Sequence, residues 1–80
     1  MNANVYELWV ENPTPLFQRF MVATQQIEKP DDVMNTWQIP TLGQTYLRGD
    51  VPTTVSQKIV RQQDNPLYWT VDVTYQLQTV

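Results

Sequence analysis

Ser56 is the only serine in the chain, and Lys58 stands two residues beyond it. A seryl nucleophile needs a base to take its proton and donors to hold the oxyanion. The chain has no histidine and no cysteine, so Lys58 or a carboxylate would have to be that base. Two positions along a strand share a face but lie ~7 Å apart, too far for direct proton transfer. Asp31-Asp32 could begin a metal site, yet adjacent carboxylates on a helix do not face each other. No third ligand stands at a useful spacing. Helix capping is the chemistry that suits them. The sequence thus offers no catalytic residues, no metal ligands and no cofactor site, and the expectation is a protein that is not an enzyme and takes no small-molecule substrate.

Two further groups of residues carry recognisable chemistry. Arg48-Gly49-Asp50 spells the tripeptide displayed by integrin ligands. A turn explains it better, because glycine supplies the bend and aspartate bonds local backbone. The nine aromatics (Tyr6, Trp9, Phe17, Phe20, Trp37, Tyr46, Tyr68, Trp69 and Tyr75) could stack single-stranded bases. Such a platform needs basic residues among the rings. The five here (Arg19, Lys29, Arg48, Lys58 and Arg61) are scattered, and the formal charge is −3. Binding by counterion release requires clustered positive charge, so nucleic acid is not expected as a partner. The aromatics are assigned to packing and to contacts with other proteins.

Composition points the same way. Eighty residues make one small domain, here spanning 1–80, with a thin core and no disulfide to staple it. Oligomerisation is a usual remedy at that size. Ten Gln and ten Thr make a quarter of the chain, while charged residues are only 16%. Neutral polar side chains lose less than ions on leaving water, so such a surface can be buried against a partner. The longest apolar stretches are far shorter than the ~20 residues of a membrane helix. Met1-Asn2-Ala3-Asn4 carries no basic start of a secretory signal, and the absence of cysteine suits a reducing cytosol.

Periodicity supplies the elements. Leu67, Trp69, Val71, Val73, Tyr75 and Leu77 alternate with polar or half-polar residues, which predicts a strand over 67–78. Thr53–Gln62 reads as its hairpin partner, turning through Gln63-Asp64-Asn65-Pro66. Placing Val55 and Ile59 on the face of Trp69 requires paired numbers with an even sum. Sums of 128 and 130 both satisfy this, and the second sets Lys58 opposite Asp72 across a three-residue loop. A twelve-residue strand is ~40 Å long, so the hairpin must bend sharply or project as a contact arm. Val5–Glu11 reads as a strand with Tyr6, Leu8 and Val10 inward and Trp9 outward, stopped by Asn12-Pro13-Thr14-Pro15. Leu16–Ala23 is apolar on both faces, as in a central strand or one covered by a partner; a short helix fits the same residues. Pro30–Trp37 reads as a short helix capped by Asp31, with Val33, Met34 and Trp37 on one side, ending at Ile39-Pro40. Thr41–Asp50 is a loop or short strand around Gly43 and Gly49. The fold class is therefore mainly β: a small antiparallel sheet, sandwich or barrel with one short helix and a long C-terminal hairpin.

The segment from Pro30 to Tyr46 (a short helix, then Trp37-Gln38-Ile39-Pro40-Thr41-Leu42-Gly43-Gln44-Thr45-Tyr46), followed by a Val-led strand and Trp69-Thr70-Val71-Asp72-Val73-Thr74-Tyr75, resembles a pattern in small structural proteins of tailed bacteriophages. Those proteins carry an Ile/Val-Pro-x-x-Gly-x-x-aromatic stretch and a closing Trp-x-Val-x-Val-x-Tyr strand. The likeness covers about half the chain. It implies a non-enzymatic virion component (neck, tail or head decoration) assembled in the host cytoplasm from copies of itself and other virion proteins, with no membrane or cofactor. The alternative from the residues alone is a monomeric cellular adaptor that binds one protein or peptide. Contacts are expected from edge strands and from Trp9, Phe17, Tyr68, Thr70, Thr74 and Gln76, which fall opposite the apolar rows or on the apolar second strand.

Overall fold

The computed structural model describes residues 5–78, with side chains from residue 8 onward. Five strands are present: β1 (Val5–Thr14), β2 (Phe17–Thr24), β3 (Thr45–Arg48), β4 (Val51–Gln62) and β5 (Tyr68–Leu77). One helix, α1 (Pro30–Met34), lies between β2 and β3. The sheet order is β1-β2-β5-β4-β3, every pair is antiparallel, and the sheet curls into a half-barrel. The mainly β fold with one short helix and a long C-terminal hairpin follows from the period-two rows.

One face of the sheet carries the core. Phe20 and Val22 of β2, Val55 of β4, and Trp69, Val71, Val73 and Tyr75 of β5 pack with Val33 of α1 and Ile39 just beyond it. Leu8 of β1 and Val60 of β4 flank this cluster. β5 lies between β2 and β4, so its apolar row meets apolar neighbours on both sides: Val71 stands beside Phe20 and Val60 and is fully buried. α1 packs over β4 and β5 and brings Val33 down as a lid.

Several elements differ from the sequence reading, each for a local reason. The hairpin keeps the even sum from Thr53 to Val55, with Val55 opposite Tyr75. A bulge between Val55 and Gln57 then adds one residue, so Lys58 pairs with Val73 and Ile59 with Asp72. Lys58, not Ile59, therefore turns to the core side, and Ile59 lands on the opposite face. The hairpin is also not a free arm, because β2 runs beside β5 from Ala23–Tyr68 to Phe17–Thr74. The molecule is instead elongated as a whole, 42 × 22 × 16 Å.

β1 does not stop at Asn12. It continues through Pro13 to Thr14 with an irregular register and Asn12 at φ 52°. Proline is tolerated because β1 is an edge and its outer side needs no donor. Leu8 turns inward, but Val10 is exposed at the edge, and the inward placement of Tyr6 lies outside the described side chains. In α1, Lys29 occupies the cap position and makes no side-chain cap bond. Asp31 sits inside the first turn, where its charge favours the helix's positive end. Pro30 fixes the helix start by its own dihedral. Trp37 lies past the helix end and is 74% exposed rather than packed with Val33.

Candidate functional site

The opposite face of the sheet has no covering element among the described residues. The helix lies on the core side, and the remaining strands belong to the sheet itself. The side chains left on this open face come from alternate positions of four strands: Trp9 and Glu11 of β1, Phe17, Arg19 and Met21 of β2, Tyr68, Thr70, Asp72 and Thr74 of β5, and Ile59 and Arg61 of β4. Trp9 and Tyr68 are each 40% exposed and Ile59 is 37% exposed. The surface is mixed aromatic and polar, and Trp and Tyr suit such half-wet positions because each joins an apolar ring to a polar tip.

Asp72 organises its centre. The strand register places Arg19 and Ile59 on either side of it, and Arg61 one step diagonally away. Arg19 donates from Nε to Oδ1 at 2.7 Å and from Nη2 to Oδ2 at 2.8 Å. Arg61 donates from Nη1 to Oδ2 at 2.8 Å. The Asp72 side chain keeps only 9% of its surface, while those of Arg19 and Arg61 keep 38% and 57%. The arginines thus shield the carboxylate while their own heads reach water. Hydrogen bonding from Arg19, aided by Arg61 and opposed by burial, holds the Asp72 carboxyl below the usual carboxylate range, and Arg19 is correspondingly raised. The clamp ties β2, β5 and β4 together on the side without a hydrophobic layer.

Of the residues predicted for contacts, Trp9 and Tyr68 stand exposed on this face, and Gln76 is exposed on the same face beyond it. Phe17 and Thr74 are half-buried neighbours across β2 and β5. Thr70 differs: it is buried within the chain and accepts a hydrogen bond from Gln63 Nε2 at 3.1 Å. Its alternate position put it on the correct face, but the hairpin loop folds over it. Sequence reasoning did not single out Arg19, Met21, Ile59 or Arg61 for this surface. Asp72 opposed to basic residues was visible only in the wrong register, since the bulge exchanges Lys58 for Ile59 beside it.

Arg48 is committed elsewhere. Gly49 and Asp50 have φ 57° and 70°, the two positive dihedrals of a tight hairpin turn between β3 and β4. Arg48 itself donates from Nη2 to Thr14 O at 2.7 Å, from Nε to Pro15 O at 3.3 Å and from Nη1 to Tyr75 Oη at 3.4 Å. Its guanidinium lies 4.4 Å from the centre of the Tyr75 ring. The tripeptide is therefore a turn whose arginine pins the β1–β2 connection to β3 across the curl. Pro13, Thr14, Pro15, Leu47, Arg48 and Gly49 line an open cleft over this pin. Ser56 lies in the bulge, and its Oγ donates to Thr74 O at 3.1 Å. Lys58 is on the other side of the strand, so the two side chains do not form a pair.

Both long borders of the sheet carry unpaired backbone among the described residues. β1 pairs only with β2. β3 covers β4 from Val51 to Thr54, and Gly43 and Gln44 bond Val55, but residues 57–62 pair only with β5.

No protein-family model matches the chain, and it matches no curated protein and no solved structure.

Proposed function

We propose that this chain is a non-enzymatic structural subunit of a multi-protein assembly, a component of a tailed-phage virion in the capsid decoration, neck or tail. The observation that carries the assembly reading is the uncovered sheet face, on which Trp9, Tyr68 and Ile59 remain partly wet around a satisfied charge clamp. Half-exposed Trp and Tyr are the residues that most often dominate protein contacts. The clamp leaves no unpaired charge at the centre to oppose docking. Open strand edges add main-chain hydrogen bonds to that surface. The virion reading rests on the likeness of residues 30–46 and of the hairpin that closes with 69–75 to phage structural proteins. Its mechanism is burial: the face and the edges are covered by companion subunits, and no chemical step is involved.

Mass spectrometry of gradient-purified particles encoded beside this gene tests the reading. The expected result is the chain in stoichiometric amount, with portal, capsid or tail genes as neighbours. Recovery only in the soluble host fraction, bound one-to-one to a cellular protein, would instead support an adaptor.

A further inference from the structure

We propose that the cleft between β3 and the β1–β2 connection takes an extended acidic peptide segment, which pairs with the outer edge of β3 and sets a carboxylate on Arg48. The proposal goes beyond the assembly reading and does not depend on it, because neither Trp9, Tyr68 nor the Asp72 clamp takes part.

The edge is open at two residues. Gln78 N–H donates to Pro52 O at 3.0 Å, so the backbone of Pro52 turns toward β5. Its register partner Leu47 therefore turns its own N–H and C=O outward, as does Thr45 two residues earlier. Tyr46 and Arg48 bond inward to Thr53 and Val51, and the turn at Gly49-Asp50 closes on the second of these pairs. Among the described residues nothing bonds the outward groups of Thr45 and Leu47. They are two donors and two acceptors in strand geometry.

The opposite wall competes little for an added strand. Pro13 and Pro15 have no N–H, and the carbonyls of Thr14 and Pro15 already accept from Arg48. A segment in the cleft therefore bonds β3 and meets proline rings on its other side. The cleft holds about 380 Å³ between residues 13–15 and 47–49, a volume in the range of ligand pockets. Leu47 is 77% exposed and also lines a smaller hollow of about 150 Å³ with Tyr46 and Pro52. An apolar side chain beside Leu47 has a seat there.

Charge chooses the occupant. A guanidinium has five N–H groups, one on Nε and two on each Nη. Arg48 uses one on each nitrogen, all toward uncharged oxygens: Pro15 O, Tyr75 Oη and Thr14 O. Nε and Nη2 grip consecutive carbonyls along one edge of the fork, so the free N–H of Nη2 lies at the tip beside Nη1. Among the described residues no carboxylate lies in ion-pair range of Arg48, whereas Arg19 and Arg61 share Asp72. Arg48 is also half-buried, with the Tyr75 ring 4.4 Å from its guanidinium. A carboxylate on the two free N–H groups supplies the missing counter-charge through a two-pronged, charge-assisted bond.

The two features specify one pattern. In a strand added beside β3, the residue opposite Arg48 shares the face of the guanidinium, and the residue opposite Leu47 shares the face of Leu47. An acidic residue next to an aliphatic one satisfies both. Main-chain bonds to the edge then supply affinity, and the acid and the aliphatic side chain supply selectivity.

The native full-length chain tests this without substitution. Isotope-labelled protein is titrated with the blocked peptide acetyl-Thr-Val-Glu-Val-Thr-amide, a palindrome that can pair in either direction. The titration runs to ~10 mM, enough to fill a site with a Kd of ~1 mM. Amide shifts should centre on Thr45, Leu47 and Gly49, and the Nε–H signal of Arg48 should move with them. The same peptide with glutamine in place of glutamate should bind about tenfold more weakly. Leu47→Pro removes only an outward N–H, which an edge strand tolerates, and with native circular dichroism it should also weaken the glutamate peptide about tenfold. Sodium acetate over the same range should move Arg48 Nε–H and leave the Leu47 amide in place; this arm holds for the edge even where Leu47→Pro does not fold. No shifts by ~10 mM, or shifts centred on the open face, overturn the site. Equal affinity for the two peptides overturns the role of the carboxylate. Acetate shifts matching those of the peptide, or full binding by folded Leu47→Pro, overturn the strand pairing.

Discussion

Asp72 shows how much of the open face depends on one carboxylate. With its folded pKa depressed chiefly by the Arg19 hydrogen bonds, the stability it lends is complete above the unfolded value of about 4 and is lost as pH falls through the folded value. The urea midpoint of the native chain should therefore drop as pH falls below about 4, and Asp72→Asn should start lower at neutral pH and fall less over the same range. Equal slopes for the two proteins would show that the clamp stores no proton-linked stability. Gly49 is a second single-residue constraint. At φ 57° an added Cβ meets no neighbour within 4 Å, so the penalty of Gly49→Ala is purely conformational, about 1 kcal/mol in equilibrium unfolding. Trp69 Nε1 is a third, because it is buried with no hydrogen-bond partner among the described residues. A donor that already lacks a partner has no bond to lose, so Trp69→Phe should cost only the smaller ring's packing.

Elements in this chain are held by unequal means. β5 is fixed from both sides and through the core, whereas β3 is four residues long and pairs only with β4. Arg48 compensates by bonding the β1–β2 connection and stacking on Tyr75. Arg48→Ala should let residues 12–16 and 45–50 exchange amide hydrogen faster together, while β5 amides keep their protection. Independent behaviour of the two segments would mean that the pin does not couple them. The bulge at Ser56 acts on the same scale: it places Lys58 on the core side, where burial lowers its pKa. Lys58→Met relieves that desolvation and should raise the thermal midpoint.

For the whole molecule, the two faces of one sheet do different work. Truncation on the core face should unfold the protein: Val71→Ala is expected to cost about 2 kcal/mol in chemical denaturation, or several degrees of midpoint in a domain this size. Trp9→Ala and Tyr68→Ala on the open face should stay within about 1 kcal/mol and show their effect in concentration-dependent mass by light scattering. If those two variants unfold as readily as Val71→Ala, the rings belong to the protomer's own stability and not to its contacts.

The local pattern was enough to determine the C-terminal hairpin, most of β1, the short helix and the turn at Gly49-Asp50, while it left β2 open to a helix and β3 open to a loop. Period two, proline and glycine act through neighbours in sequence and need no knowledge of the rest of the chain. The outward placement of Trp9 and Tyr68 was legible for the same reason. The tertiary structure decided what depends on partners far along the chain: that β2 lies between β1 and β5, that Arg19 and Arg61 converge on Asp72, and that Arg48 closes the curl. It also decided that one inserted residue at Ser56 exchanges the faces of Lys58 and Ile59. A bulge leaves the local alternation on each side intact, so only the ladder of hydrogen bonds across to β5 reveals where the parity changes.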